Sequence, residues 1–263
     1  MAFLIDIQKE FPGFSLDLSL SGPGSSVTGL LGASGSGKTM TLHCISGILE
    51  PDKGKIVVDG VTFFDREQGI SLRPQERRCG YLMQNYGLFP NMTVRQNIAA
   101  GCRGARMQEL FSEEKKRGAP WGRRFGFFSL LKEEDLQATE EMIRKMRLQG
   151  LEDRKPCELS GGQQQRCALG RILAGSPRIL LLDEPYSALD EYLRDQLMEE
   201  TLEILDEFHK SVLFVSHSRV EALRMCDRLA VIHEGRILEE GESSEVFRHP
   251  KTAWGAILTG QYR

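Results

Sequence analysis

Residues 32–39 read GASGSGKT, and Gly32, Gly37, Lys38 and Thr39 stand at the spacing of a phosphate-binding loop. Glycines let backbone N–H groups curl inward around phosphate oxygens. A helix opening at Lys38 aims its positive end at the same anion. The turn made of Gly32, Ala33, Ser34, Gly35, Ser36 and Gly37, with Met40 at its exit, is the expected cradle for a nucleotide. Lys38 is expected to reach the β- and γ-phosphates, and the Thr39 hydroxyl to hold Mg²⁺. Further on, 179–184 read ILLLDE. A buried apolar strand ending in Asp183 supplies the second Mg²⁺ ligand that such a loop needs. Glu184, one residue beyond, can accept a proton from a water in line with the γ-phosphate.

These groups need elements to position them. Apolar alternation with Gly, Pro and Ser breaks predicts strands over 3–7, 14–20 and 27–31, the third running into the glycine-rich turn. A helix is expected over 38–49. Asp59-Gly60 between apolar segments at 55–58 and 61–64 predicts a hairpin. The middle, about 93–159, reads as helical with a Gly-rich interruption. From 179 the pattern alternates strand (179–182), helix (192–208), strand (212–215) and helix (219–225). That alternation implies a parallel sheet covered on both faces. A closing hairpin is expected over 229–240, around Glu234-Gly235.

Composition narrows the classes. The chain has 263 residues, 40% of them apolar and 27% charged, which suits a soluble globular protein with a real core. Its longest apolar runs are about four residues, against roughly 20 for a bilayer span, and no signal-peptide pattern opens it. A net charge of −3 argues against a dedicated nucleic-acid binder. The six cysteines form no CxxC pair and no zinc spacing, and read as reduced thiols.

Residues 159–163 read LSGGQ. This resembles the signature of the ABC (ATP-binding cassette) ATPases. Ser160 with Gly161 and Gly162 opens a helix and makes a second anion site, to which Gln163 belongs. Two glycines in a first turn cost helix propensity, which an ordinary Ser-capped helix does not explain. In the family this site grips the γ-phosphate of ATP held by the opposite subunit. The other motifs follow in order. Gln84 resembles the Q-loop glutamine that senses Mg²⁺ and touches the transport domain. Ser187-Ala188-Leu189-Asp190 resembles the D-loop at the dimer interface, and His217, after a strand, the switch histidine at the γ-phosphate. For the aromatic that stacks on adenine, Phe11 is the first candidate and Phe14 its competitor.

The resemblance covers about 3–242. It implies an α/β P-loop NTPase core with an antiparallel β-subdomain and an inserted α-helical subdomain over about 85–159. One phosphate loop and one signature per chain imply head-to-tail pairing with a second copy or a paralogous subunit, with ATP and Mg²⁺ between them. Leu88-Phe89-Pro90, Met92-Thr93-Val94 and Asn97-Ile98 resemble bacterial importer motors, and 67–90 looks most like the ATPase of molybdate importers. Membrane permease subunits, indirectly a substrate-binding protein, and a peripheral place on the cytoplasmic face of the membrane are then expected. Nucleic acid is not expected as a partner. Sulfate, polyamine, iron and sugar importers, and non-transport ABC ATPases, are the alternatives. The last class lacks its usual long coiled coil, zinc modules or second cassette here. Two departures stand out. The chain stops at Arg263, so 243–263 reads as a tail without the small regulatory β-barrel. An insertion over about 103–131 carries seven Lys/Arg against three acids, and a cluster of four aromatics, Trp121, Phe125, Phe127 and Phe128, closes it. It reads as a surface loop or as a dock for the membrane subunit or lipid.

Overall fold

The strand that feeds the phosphate loop, β3 (Val27–Leu31), is buried at every residue. It lies inside a six-stranded sheet, which explains why neither face of the strand is exposed. The computed structural model describes residues 2–102, 132–187 and 191–261. The insertion expected over 103–131 and the D-loop residue Asp190 lie outside the described residues.

The other strands of this sheet are β7 (Cys79–Leu82), β8 (Ile179–Asp183), β9 (Ser211–Ser216), β10 (Arg228–His233) and β11 (Arg236–Glu242), in the order β11-β10-β3-β9-β8-β7. All neighbours run parallel except the β10–β11 hairpin. Register aligns Leu31 with Ser216 and Asp183 with Val215. Gly32, Glu184 and His217 therefore leave three adjacent strands at the same edge, the carboxyl ends where α/β sheets bind ligands.

A second sheet is antiparallel. It joins β1 (Phe3–Phe11), β2 (Phe14–Gly22), β4 (Lys53–Val58), β5 (Val61–Asp65) and β6 (Ile70–Ser71) in the order β2-β1-β4-β5-β6. Its first hairpin runs farther than apolar alternation alone marks. Gln8 with Asp17 and Lys9 with Leu16 extend the ladder to Phe11 and Phe14. Asp59 and Gly60 both have positive φ, 51° and 73°, as the tight β4–β5 turn demands.

Helix α1 (Lys38–Ser46) sends the fully buried Leu42 and Ile45 into a core shared with Ile5, Leu18, Ile56 and Leu181. Truncating either residue to alanine costs about 2–5 kcal/mol. The helix stops short of the expected residue 49 because Gly47 turns left-handed, φ 84°, and its N–H bonds back to the His43 carbonyl.

The chain forms two compact units, 1–83 with 178–263 and Gln84–Pro177. The first includes the one-turn helix α2 (Pro74–Arg77), and the second holds α3 (helical over 94–102), α4 (Glu133–Lys145) and α5 (Gly161–Ala174). It thus extends past the expected limit of 159 and takes in the signature helix. Gly170 of α5 is where Met142, Met146 and Ile98 press close, which fixes α5 to its two helical neighbours.

In the first unit, α6 (Glu191–Asp206) and α7 (Arg219–Met225) follow β8 and β9. The stretch after 242 forms two short helices, α8 (Ser243–Arg248) and α9 (Ala253–Thr259). Val246, Phe247 and Leu258 pack there with Leu31, Leu229 and Val231. No helix among the described residues is long and apolar enough to cross a membrane.

Candidate nucleotide site

The phosphate loop owes its shape to glycine at three positions. A Cβ on Gly32 would meet the Ile232 carbonyl oxygen at 2.5 Å, while Gly35 and Gly37 adopt φ of 80° and 105°. Residues 33–35 are exposed, as are Thr39 and Met40 beyond the turn. Lys38 is buried, and its Nζ donates to the Gly32 and Ala33 carbonyls, both at 2.9 Å. Burial lowers its pKa, opposed by Glu184 and Asp183 nearby. Ser36 Oγ is buried without a hydrogen-bond partner. An ammonium folded onto its own loop, beside an unpartnered hydroxyl and a helix start, suits an incoming phosphate.

At the end of β8 the Thr39 hydroxyl lies 3.1 Å from Asp183 Oδ1, and the Tyr81 hydroxyl donates to Asp183 Oδ2 at 2.9 Å. Among the described residues no cluster of three or more His, Cys, Asp or Glu could hold a metal by itself. One carboxylate and one hydroxyl fit Mg²⁺, a hard ion that keeps waters and takes substrate phosphates as its remaining ligands.

Glu184 has φ 45°, an uncommon backbone for a residue with a side chain. Its N–H bonds to the Val215 carbonyl at 3.0 Å, and its own carbonyl accepts from the Ser187 hydroxyl at 3.1 Å. So held, its carboxylate stands 3.8 Å from Lys38 Nζ and 3.2 Å from His217 Nδ1. The His217 turn is braced from behind. Ser216 Oγ donates to the buried Glu221 at 2.6 Å and accepts from the Ser218 N–H at 2.9 Å. Burial raises the Glu221 pKa, offset by Ser216, Arg194 and His217.

Phe11 and Phe14 face one another at the tip of the β1–β2 hairpin, ring centroids 6.0 Å apart. Phe14 is the ring against the phosphate loop, with its Cζ 3.0 Å from where a Gly37 Cβ would stand. Both rings are half-buried and pack on the core beneath.

In the second unit, Ser160 caps α5. Its hydroxyl accepts from the Gln163 N–H at 3.3 Å, and the Gln163 side chain accepts from the Ser160 N–H at 3.0 Å. This reciprocal box leaves the Gly161 and Gly162 amides at the helix mouth. Gln84 opens the unit, two residues beyond β7, and is exposed.

A family model described as ABC transporter matches residues 16–187. The chain belongs to the ABC transporter family. This ABC chain is 36% identical over 259 residues to the molybdenum import ATP-binding protein ModC of Paramagnetospirillum magneticum, covering 98% of this chain and 63% of that protein. It is 34% identical to the sulfate/thiosulfate import ATP-binding protein CysA of Synechocystis sp., covering 99% and 66%. It therefore spans just under two thirds of the length of these relatives. Among solved structures it resembles MJ1267, an ATP-binding cassette of an ABC transporter, with TM-score 0.74 and 26% identity over 95% of this chain and 96% of that one. It shares its fold with MJ0796, a dimeric cassette bound to ADP and Pi, with TM-score 0.67 and 24% identity over 92% and 99%. The fold is that of a P-loop NTPase.

Three side chains of this ABC chain escaped sequence reasoning. Tyr81 sits in an apolar strand, and only the pairing of β7 with β8 brings its hydroxyl to Asp183. Arg77 is 1% exposed and donates to the carbonyls of Leu72, Cys44 and Ile45, capping the last turn of α1. The basic pair Arg77-Arg78 hides this, since adjacent arginines read as surface. Arg171 on α5 donates to the Tyr86 and Gly87 carbonyls and covers the Phe89 ring at 5.0 Å. It ties the loop after Gln84 to the signature helix.

Proposed function

We propose that this chain is the ATP-hydrolysing motor subunit of a bacterial importer, acting as a head-to-tail dimer beneath membrane permease subunits on the cytoplasmic face. The observation that carries the reading is the meeting of Thr39, Asp183, Glu184 and His217 at the mouth of a glycine-built loop. Lys38 leaves the Gly32 and Ala33 carbonyls for the phosphates, whose charge the ammonium and loop amides offset. Thr39, Asp183 and Gln84 would hold Mg²⁺, which neutralises charge on the phosphate oxygens when bound. Glu184 accepts the proton of the attacking water. His217 orients that carboxylate and faces the γ-phosphate. Phe11 and Phe14 offer the adenine a stacking surface, and Ser160, Gly161, Gly162, Gln163 and Asp190 serve the nucleotide of the opposite copy.

The cargo we infer is molybdate or a related oxyanion. Support comes from the 67–90 segment and from the names ModC and CysA among the relatives. The test is reconstitution in liposomes with the cognate permease and binding protein. Stimulation of hydrolysis by molybdate and tungstate but not sulfate supports the narrow reading. Stimulation by sulfate, spermidine or a sugar instead replaces the cargo and leaves the motor.

A further inference from the structure

Trp254 on α9 stacks on His233, ring centroids 3.9 Å apart and planes 26° from parallel. His233 ends β10, the strand hydrogen-bonded to the one that delivers the phosphate loop. Immediately before it, the Ile232 carbonyl lies against Gly32. Immediately after it, the two-residue turn Glu234-Gly235 sends the Gly235 N–H to the Ser36 carbonyl at 3.0 Å. The Gly235 carbonyl accepts from the Asp17 N–H at 2.9 Å, so the turn is wedged between β2 and the loop. The indole thus rests on a residue set between Ile232, which meets Gly32, and the turn whose Gly235 bonds to Ser36.

The indole is itself held fast. Glu239 of β11, 8% exposed, accepts from the Lys251 N–H at 2.6 Å and from the Thr252 hydroxyl at 3.3 Å. Thr252 in turn caps α9 through the Gly255 N–H at 2.9 Å. At the other end of α9, Gly260 faces the Arg219 guanidinium, where a side chain on the glycine would collide. Arg219 is the first residue of α7, which opens two residues after His217. One short helix therefore leans on the buttress of the phosphate loop and on the helix that follows His217.

We propose that His233 and Trp254 are positioning residues for the phosphate loop, and that the indole reports whether that loop is filled. This rests on the nucleotide-site reading above. The physical reason is the state of Lys38. Its ammonium occupies the Gly32 and Ala33 carbonyls, and a bound phosphate draws it away. The loop then resettles against Ile232 and Gly235, the turn moves with it, and the imidazole shifts beneath the indole. Losing the stack loosens the loop, which weakens nucleotide binding without removing any group that touches the reacting atoms.

The test uses the whole chain with Trp121→Phe, leaving Trp254 as its one indole. Binding of labelled ATP is measured alongside Trp254 emission. The expected result is an emission change that saturates with bound MgATP and is absent with AMP. Trp254→Leu and His233→Ala each raise the Kd and KM for ATP about fivefold with kcat near the parent value, and His233→Phe restores tight binding. Unchanged Trp254 emission while labelled ATP fills the site overturns the proposal, whether or not the Leu variant folds. So does parental affinity in both His233→Ala and Trp254→Leu. Failure of the parent to bind labelled ATP instead defeats the nucleotide-site reading itself.

Discussion

His217 Nδ1 stands 3.2 Å from Glu184 Oε2, the two residues leaving neighbouring parallel strands at the same edge of the sheet. A carboxylate so oriented suits the proposed role of taking a proton from the attacking water. Glu184→Gln should keep ATP affinity and lower turnover by about 10²–10⁴-fold. The stalled protein should accumulate as an ATP-bound dimer, read by phosphate release and gel filtration. Phosphate release at the parent rate would remove Glu184 from the chemistry. Lys38→Ala should weaken nucleotide binding itself.

Tyr81 holds one oxygen of Asp183 while Thr39 holds the other. Tyr81→Phe frees the carboxylate to rotate without changing the ligand set. The Mg²⁺ concentration for half-maximal hydrolysis should rise about tenfold, with kcat at saturating Mg²⁺ little altered. A magnesium titration at fixed ATP separates the two quantities.

Ser160 stands in the capping box of α5, and one phosphate loop accompanies one signature in each chain. Ser160→Arg should leave ATP binding by the isolated subunit intact and abolish cooperative hydrolysis. Mixed with Lys38→Ala subunits, it should recover no more than one working site per heterodimer. Loss of ATP binding in monomeric Ser160→Arg would contradict service to the opposite copy.

Glu221 is buried, and its raised pKa means that ionisation opposes folding. An acid with a raised folded pKa contributes its full stability below the unfolded value and loses it as pH climbs through the folded one. Glu221→Gln still offers an oxygen to the Ser216 hydroxyl and has no charge to bury. Its melting temperature should match the parent below about pH 4 and exceed it increasingly above that range. Parallel melting curves across the pH range would refute this account.

Much of the candidate site was legible because its residues are local in sequence. The glycines at 32, 35 and 37 sit within one turn, and Asp183 with Glu184 closes one apolar strand. Apolar periodicity gave the order of the longer strands and helices, and the Asp59-Gly60 and Glu234-Gly235 turns marked their hairpins, while β6, β7, α8 and α9 were too short to show a period. What stayed hidden depends on distant pairing. The Tyr81 hydroxyl meets Asp183 only through the β7–β8 register, and Arg77 reaches the end of α1 across more than thirty positions. The pairing of Trp254 with His233 has no local signal either, since an indole in a short helix reads as packing.

The left-handed backbone at Glu184 bears on how such a gene ages. A side chain there costs about 1–3 kcal/mol that glycine would not incur, and asparagine tolerates the same geometry better than glutamate. In a duplicated copy released from turning over nucleotide, drift to glycine or asparagine at 184 would relieve that backbone strain while taking the carboxylate away from the buried Lys38 ammonium.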